Sequence, residues 1–190
     1  MSGILEIRWH GRGGQGAVTA AKLLAGSALR EGKHIQAFPE YGPERTGAPV
    51  KSFTRISDSP IRTHSQVTAP KVSIVLDPTL LEVVDVAEGL PEDGVLIINT
   101  TEKPANIRKQ LGLNKGKIFT VDATAISIEN IGRNIPNTPM MGALIKATGV
   151  IKLDTLLDDF KEKFSSKFRK EVLEGNVNAI KKAYEEVIAE

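Results

Sequence analysis

Short apolar runs alternate along this chain with segments of helical periodicity. Residues 4–10, 34–38, 72–76, 95–98 and 117–121 read as strands. Residues 17–30, 79–86, 104–111, 123–131, 140–147, 154–164 and 168–189 read as helices. In the first helix Ala20, Leu23, Leu24 and Ala28 share one face. In the last, Val177, Ile180, Tyr184 and Val187 recur at helical spacing among lysines and glutamates. Gly32 stops the first helix, and Pro104 suits a first turn because it has no N–H to leave unpaired. The strand at 34–38 is expected to run parallel to the first, across a helical crossover.

Residues 50–56 alternate apolar and polar, which predicts a half-exposed strand. Turn chemistry follows at 57–60. Residues 61–70 read as irregular, with a short edge strand at 61–63. A hairpin here makes the sheet mixed. Three apolar strands end in a polar side chain, Asp77, Asn99 and Asp122, as strand ends do when they form a functional rim. The bland role for Asp77 and Asp122 is to cap the helices that follow, each cap contributing about 1 kcal/mol. Asn137-Thr138-Pro139 closes a loop and caps the next helix. Met140 and Met141 read as core.

The densest motif is Gly11-Arg12-Gly13-Gly14-Gln15-Gly16, set between the first strand and the first helix. Its glycines fit G-x-G-x-x-G, a turn that lets backbone approach a ligand or another chain closely. The helix behind it aims free N–H groups and a positive dipole end at the same space. Three readings follow: a dinucleotide site, a purely structural turn, or a place where a phosphate-bearing ligand or a partner chain is met. Glu40 stands near the position where an acidic residue holds a ribose. The segment after it, Pro39 to Pro49, is too rich in proline and glycine for regular structure and places Glu40, Tyr41, Glu44 and Arg45 beside the turn. Tyr41 and Arg45 suit stacking and anion pairing. The expected architecture is a single α/β domain over residues 1–190. It has three αβα layers and a mostly parallel, mixed sheet with a Rossmann-like βαβ start.

Composition narrows the chemistry. The chain has no cysteine, which removes disulfides, thiolate nucleophiles and cysteine-held iron–sulfur clusters. Its three histidines, His10, His34 and His64, lack metal-ligand spacing, so no metal site is expected. A net charge of +2 with no basic patch among aromatics gives no case for nucleic acid. No apolar run is long enough to span a membrane, and no signal peptide is visible. A cytoplasmic location is the expectation. No nucleophile–base pair appears, so no catalytic residue is assigned.

The glycine turn, the block Pro39 to Ala48, Val121-Asp122-Ala123-Thr124 and Asn137-Thr138-Pro139-Met140-Met141-Gly142-Ala143 together resemble the gamma subunits of 2-oxoacid:ferredoxin oxidoreductases. Thr46-Gly47-Ala48 departs from the family, which more often has Arg-Gly-Gly there. The resemblance implies conversion of a 2-oxoacid, coenzyme A and oxidised ferredoxin to an acyl-CoA, carbon dioxide and reduced ferredoxin. Pyruvate is the expected 2-oxoacid, with 2-oxoisovalerate or 2-oxoglutarate as alternatives. It implies a heterotetramer with alpha, beta and delta subunits. Thiamine diphosphate, Mg2+ and [4Fe-4S] clusters would lie on those other subunits, and this chain would have no redox part. Gly11 to Gly16, Glu40, Tyr41, Glu44 and Arg45 are then candidates for coenzyme A phosphate or subunit contact, with Asp77, Asn99, Asp122 and Asn137 as the rim. The competing reading is a free-standing nucleotide-cofactor oxidoreductase or flavoprotein.

Overall fold

The first apolar run becomes a central strand because a seven-stranded sheet closes around it. The structure is a computed structural model and describes residues 3–40 and 47–190. Among these, the strands are β1 (Leu5–Arg12), β2 (His34–Pro39), β3 (Pro49–Ser57), β4 (Val72–Val75), β5 (Val95–Asn99), β6 (Lys117–Val121) and β7 (Ile188–Ala189). They lie in the order β2-β3-β1-β4-β5-β6-β7. β1, β4, β5 and β6 pair in parallel, while β3 is antiparallel to both β1 and β2, and β7 is antiparallel to β6. Five strands therefore point one way and two the other, so the sheet is mixed.

β2 does run in the direction of β1, but it is not its neighbour. β3 lies between them. The chain between β2 and β3 is too short for a crossover, and a short connection gives an antiparallel pair. The alternation in β3 also misleads about exposure, because the strand is buried from Ser52 to Ser57. Thr54 faces the first helix, taking a hydrogen bond from Trp9 Nε1 at 3.1 Å and donating to the Ala21 carbonyl at 3.1 Å. Arg55 is buried on the other face. It donates to Glu6 Oε1 at 2.8 Å, Gln36 Oε1 at 3.2 Å and the Ser65 carbonyl at 2.6 Å. The segment that carries Ser65 covers this face as irregular chain, and residues 61–63 are not a strand.

The helices are α1 (Ala17–Arg30), α2 (Pro104–Leu111), α3 (Ala123–Ile131), α4 (Asn137–Thr148), α5 (Leu153–Phe164) and α6 (Lys170–Glu186). α1 and α3 to α6 share one core with Ile7, Trp9, Ile74, Ile97 and Val121. The other face is thinner. There α2 and a 3-10 turn at Pro78–Glu82 cover Val75, Leu96, Ile98 and Ile118. That turn replaces the longer helix expected over 79–86. α4 crosses α6 so closely that a Cβ on Gly142 would stand 2.9 Å from the Ile180 carbonyl carbon and 3.1 Å from the Tyr184 nitrogen.

Two helix boundaries move from expectation. α4 starts at Asn137, with Pro136 as its N-cap, so Asn137, Thr138 and Pro139 form its first turn and do not precede it. Proline is tolerated there because first-turn N–H groups have no helical partner. α6 ends at Glu186, and the chain extends so that Ile188 and Ala189 pair with β6. Arg108 anchors that last segment through Glu190, with Nε 2.7 Å from Oε1.

Candidate functional site

β1 delivers the chain to the glycine turn. Gly11 and Arg12 are still in the sheet, opposite Val50 and Pro49. Gly16 then sits at the N-cap of α1 with φ +81°, the left-handed region that favours glycine. No side chain caps α1. Its first N–H groups are the kind of donor that binds anions at a helix start.

The turn is held from both sides. Gln15 Oε1 accepts from the Arg12 N–H at 2.7 Å, and Gln15 Nε2 donates to Asp77 Oδ2 at 2.6 Å. Asp77 Oδ1 in turn accepts from the Thr79 N–H at 2.9 Å and hydroxyl at 2.7 Å. Arg12 lies over this cluster. Its Nε is 3.3 Å from Asp77 Oδ2, its Nη2 donates to Thr79 Oγ1 at 2.7 Å, and its Nη1 donates to the Gly47 carbonyl at 3.2 Å. Partial burial pushes the Asp77 carboxyl up, but hydrogen bonds from Thr79 and Gln15 and the Arg12 charge outweigh it and hold the group below the usual range. The structure thus joins Arg12, Gln15 and Asp77 into one brace. Thr79 completes it, signalled only by the Asp-Pro-Thr turn sequence.

The far side of the turn meets the end of the proline-rich segment. Gly13 N–H donates to the Ala48 carbonyl at 3.0 Å, and Gly47 N–H donates to the Gly13 carbonyl at 3.3 Å. Tyr41, Glu44 and Arg45 lie outside the described residues. Glu40 is described. It stands with Lys51 in a cleft of about 410 Å3 whose other wall is Arg12, Gly13, Gly14, Gly16 and the first turn of α1. Lys51 was not foreseen. Among the described residues it has no ion pair.

The remaining rim residues divide. Asn99 is spent on structure: its Nδ2 donates to the Leu76 carbonyl and Thr124 Oγ1, both at 2.8 Å, and its Oδ1 accepts from Thr124 N at 3.1 Å. Asp122 caps α3 through Ala125 N at 2.8 Å. Asn137 instead reaches the glycine turn, with Nδ2 3.4 Å from the Gly16 carbonyl oxygen.

Beneath the turn lies a buried pair that no motif announced. Arg8 Nε donates to His10 Nε2 at 3.0 Å, and Arg8 Nη2 donates to the Val86 and Glu88 carbonyls at 3.3 and 2.6 Å. A guanidinium is only a donor, so Nε2 is the bare nitrogen and the imidazole proton sits on Nδ1. Burial, then the charges of Arg8 and Lys51, push His10 down to about 3. It is neutral at physiological pH and forms part of a small recess with Glu40 and Lys51.

The chain lacks the ligands of a cysteine-held cluster. It has no cysteine for an iron–sulfur cluster. Among the described residues, no three histidine, aspartate or glutamate side chains gather as a metal site requires. No helix among them is long and apolar enough to cross a membrane.

Comparison with known proteins fits this geometry. Residues 6–186 match the family model of pyruvate ferredoxin/flavodoxin oxidoreductases. The chain is 50% identical over 182 residues to the pyruvate synthase subunit PorC of Thermotoga maritima, covering 96% of this chain and 94% of that one. It is 47% identical over 185 residues to the pyruvate/ketoisovalerate oxidoreductases common subunit gamma of Thermococcus kodakarensis, covering 97% and 98%. The crystal structure of the pyruvate oxidoreductase subunit PORC of Thermotoga maritima superposes with a TM-score of 0.87 at 46% identity, covering 98% of each chain. The chain belongs to the pyruvate ferredoxin/flavodoxin oxidoreductase family.

Proposed function

We propose that this chain is the non-redox gamma subunit of a multi-subunit pyruvate:ferredoxin oxidoreductase. All 190 residues form one gamma-type domain in this reading. The complex converts pyruvate, coenzyme A and oxidised ferredoxin to acetyl-CoA, carbon dioxide and reduced ferredoxin in the cytoplasm. Thiamine diphosphate, Mg2+ and the iron–sulfur clusters belong to the alpha, beta and delta subunits. Full-length likeness to PorC chains supports the assignment. So does a residue set with no thiolate.

Within that complex, the glycine turn supplies one wall of the coenzyme A region. The observation that carries this is the uncapped start of α1 at a 410 Å3 cleft beside Arg12 and Lys51. Backbone N–H groups and two cations suit a phosphate. The Asp77–Gln15–Thr79 brace fixes the turn and aims the Arg12 guanidinium. Lys51 is the freer charge of the two. Tyr41, Glu44 and Arg45 belong to the same proposed rim by sequence alone.

A relative named as common to pyruvate and ketoisovalerate oxidoreductases favours a second, compatible reading. In it, the gamma chain serves more than one 2-oxoacid, and selection among them lies on another subunit.

The test is turnover of the complex assembled with its partner subunits. Arg12→Ala and Lys51→Ala should each raise the KM for coenzyme A about tenfold, the loss of one charge-assisted phosphate contact. The KM for pyruvate should not move. Unchanged coenzyme A kinetics in both variants would reduce the glycine turn to a subunit contact. A yellow or nicotinamide-binding chain, active without partners, would overturn the subunit assignment itself.

A further inference from the structure

The two edges of the sheet are finished differently. At the β6 edge, Ile188 and Ala189 add a short strand, and Arg108 anchors it through Glu190. The other edge is β2, and among the described residues no strand covers it.

The backbone of β2 shows which groups are left over. Just beyond the strand, Glu40 N–H donates to the Lys51 carbonyl at 3.0 Å. Antiparallel pairing alternates, so Phe38, Gln36 and His34 turn their N–H and C=O groups toward β3. Ile35, Ala37 and Pro39 turn theirs outward. Pro39 has no N–H to offer. Among the described residues, nothing pairs with the N–H or C=O of Ile35 or Ala37. Exposed edges are commonly blunted by a lysine, a bulge or a proline. β2 has no lysine or carboxylate, no bulge in its register with β3, and its one proline at the very end.

This edge is self-complementary. A two-fold axis through the edge at Gln36, perpendicular to the sheet, sets β2 antiparallel to β2 of a second copy. Ile35 of each copy then faces Ala37 of the other. Both are hydrogen-bonded pairs, so every free N–H and C=O of the two residues finds a partner. Sliding the strands by two residues spoils this. In one direction Ile35 meets Pro39, and its carbonyl has no donor. In the other Ala37 meets Lys33, whose N–H is already spent on the Ala28 carbonyl at 3.2 Å. One register satisfies every group. In it Phe38 stands across from His34 of the second copy, on the face where Phe38 already packs against Phe53. On the opposite face, Ser27 and Arg30 turn α1 toward α5. That leaves Leu29 on the outer flank of α1, 59% exposed.

We propose that β2 pairs with β2 of a second copy of this chain, so that one sheet runs through both copies across a two-fold axis. The contact uses neither the glycine turn nor the subunit assignment, so it stands or falls separately from both.

The experiment combines light scattering of the purified chain with disulfide trapping. At about 100 μM the chain should have twice the mass of one copy. Ala37→Pro removes an N–H that bonds nothing within the chain, at the kind of edge position where proline is tolerated. It should raise the dissociation constant of the dimer about tenfold, while thermal melting shows that the fold persists. Ile128→Glu, at another exposed apolar residue, on α3, should leave the dimer unchanged. The chain has no cysteine, so one introduced thiol reports on one position. Gln36 faces Gln36 of the second copy in a non-hydrogen-bonded pair, with Cα atoms about 4.5 Å apart, within disulfide reach. Gln36→Cys should therefore link into a dimer under mild oxidation, and Phe38→Cys should not. A chain that stays monomeric and is not linked through Gln36→Cys overturns the proposal. So does a dimer that Ala37→Pro leaves intact, that Ile128→Glu dissolves, or that links through Phe38→Cys in preference to Gln36→Cys.

Discussion

Asn137 packs directly on Gly16, 121 residues earlier in the chain, with Nδ2 3.4 Å from the Gly16 carbonyl oxygen. A Cβ on Gly16 would overlap the Asn137 side-chain nitrogen and stand 3.0 Å from Asn137 Cγ, tighter than most real Cβ contacts. The first turn of α4 is thereby seated on the N-cap of α1. The glycine is needed twice, for its φ of +81° and for this contact.

Gly16→Ala should therefore destabilise the chain by two separable amounts. The left-handed backbone costs about 1–2 kcal/mol with a Cβ present. The clash with Asn137 adds a second share. Asn137→Ala removes only that second share, so the double variant should be less destabilised than the sum of the singles. Urea unfolding of the four proteins measures this coupling. Strict additivity would show that the contact contributes nothing.

Much of this site could be read before the fold was known, because its elements are local. Strand, glycine turn and helix follow one another in sequence, and the capping roles of Asp77 and Asp122 need only the next residues. What resisted reading was non-local. Period-2 alternation in β3 implied a wet face, yet a later irregular segment covers it and Arg55 finds its partners there. The order of β2, β3 and β1 depends on a strand inserted from further along the chain. Asn137 looked like a loop cap because nothing in its neighbourhood reveals that Gly16 lies against it. Arg8 and His10 carried no motif, and only the fold shows that one arginine fixes the tautomer of the other side chain.

A second buried contact offers a cleaner energetic test. Asp159 on α5 is 1% exposed and accepts from Ser27 Oγ on α1 at 2.7 Å. Arg30 Nε and Lys163 Nζ stand 2.7 and 2.6 Å from its carboxylate. Asp159→Ala leaves a void beside the Ser27 hydroxyl, which keeps its bond to the Leu23 carbonyl, strips Lys163 of its partner and leaves Arg30 paired with Glu162 alone. Both cations are partly exposed and can rehydrate, so the loss should be about 2 kcal/mol, not the full cost of an orphaned buried charge. Chemical denaturation measures it, and a change below about 0.5 kcal/mol would mean that α5 is held to α1 by its apolar residues alone.

The Arg8–His10 pair makes stability depend on pH in a defined direction. His10 is neutral in the folded chain because its value has fallen from the ordinary 6.5 to about 3. The unfolded chain binds a proton at His10 below 6.5 that the folded chain refuses. Stability is therefore complete above pH 6.5 and falls as the pH drops from there toward 3, by at most about 1.4 kcal/mol per pH unit. Between pH 6.5 and 5, most carboxylates stay ionised in both states, so this window isolates the histidine. His10→Gln keeps an oxygen that can accept from Arg8 Nε but has no proton to gain. The variant should unfold with a flatter pH dependence across that window, even if its stability at pH 8 is somewhat lower. Parallel slopes for the two proteins in urea melts at pH 5, 6, 7 and 8 would show that His10 is protonated in the fold and that Arg8 is not its donor.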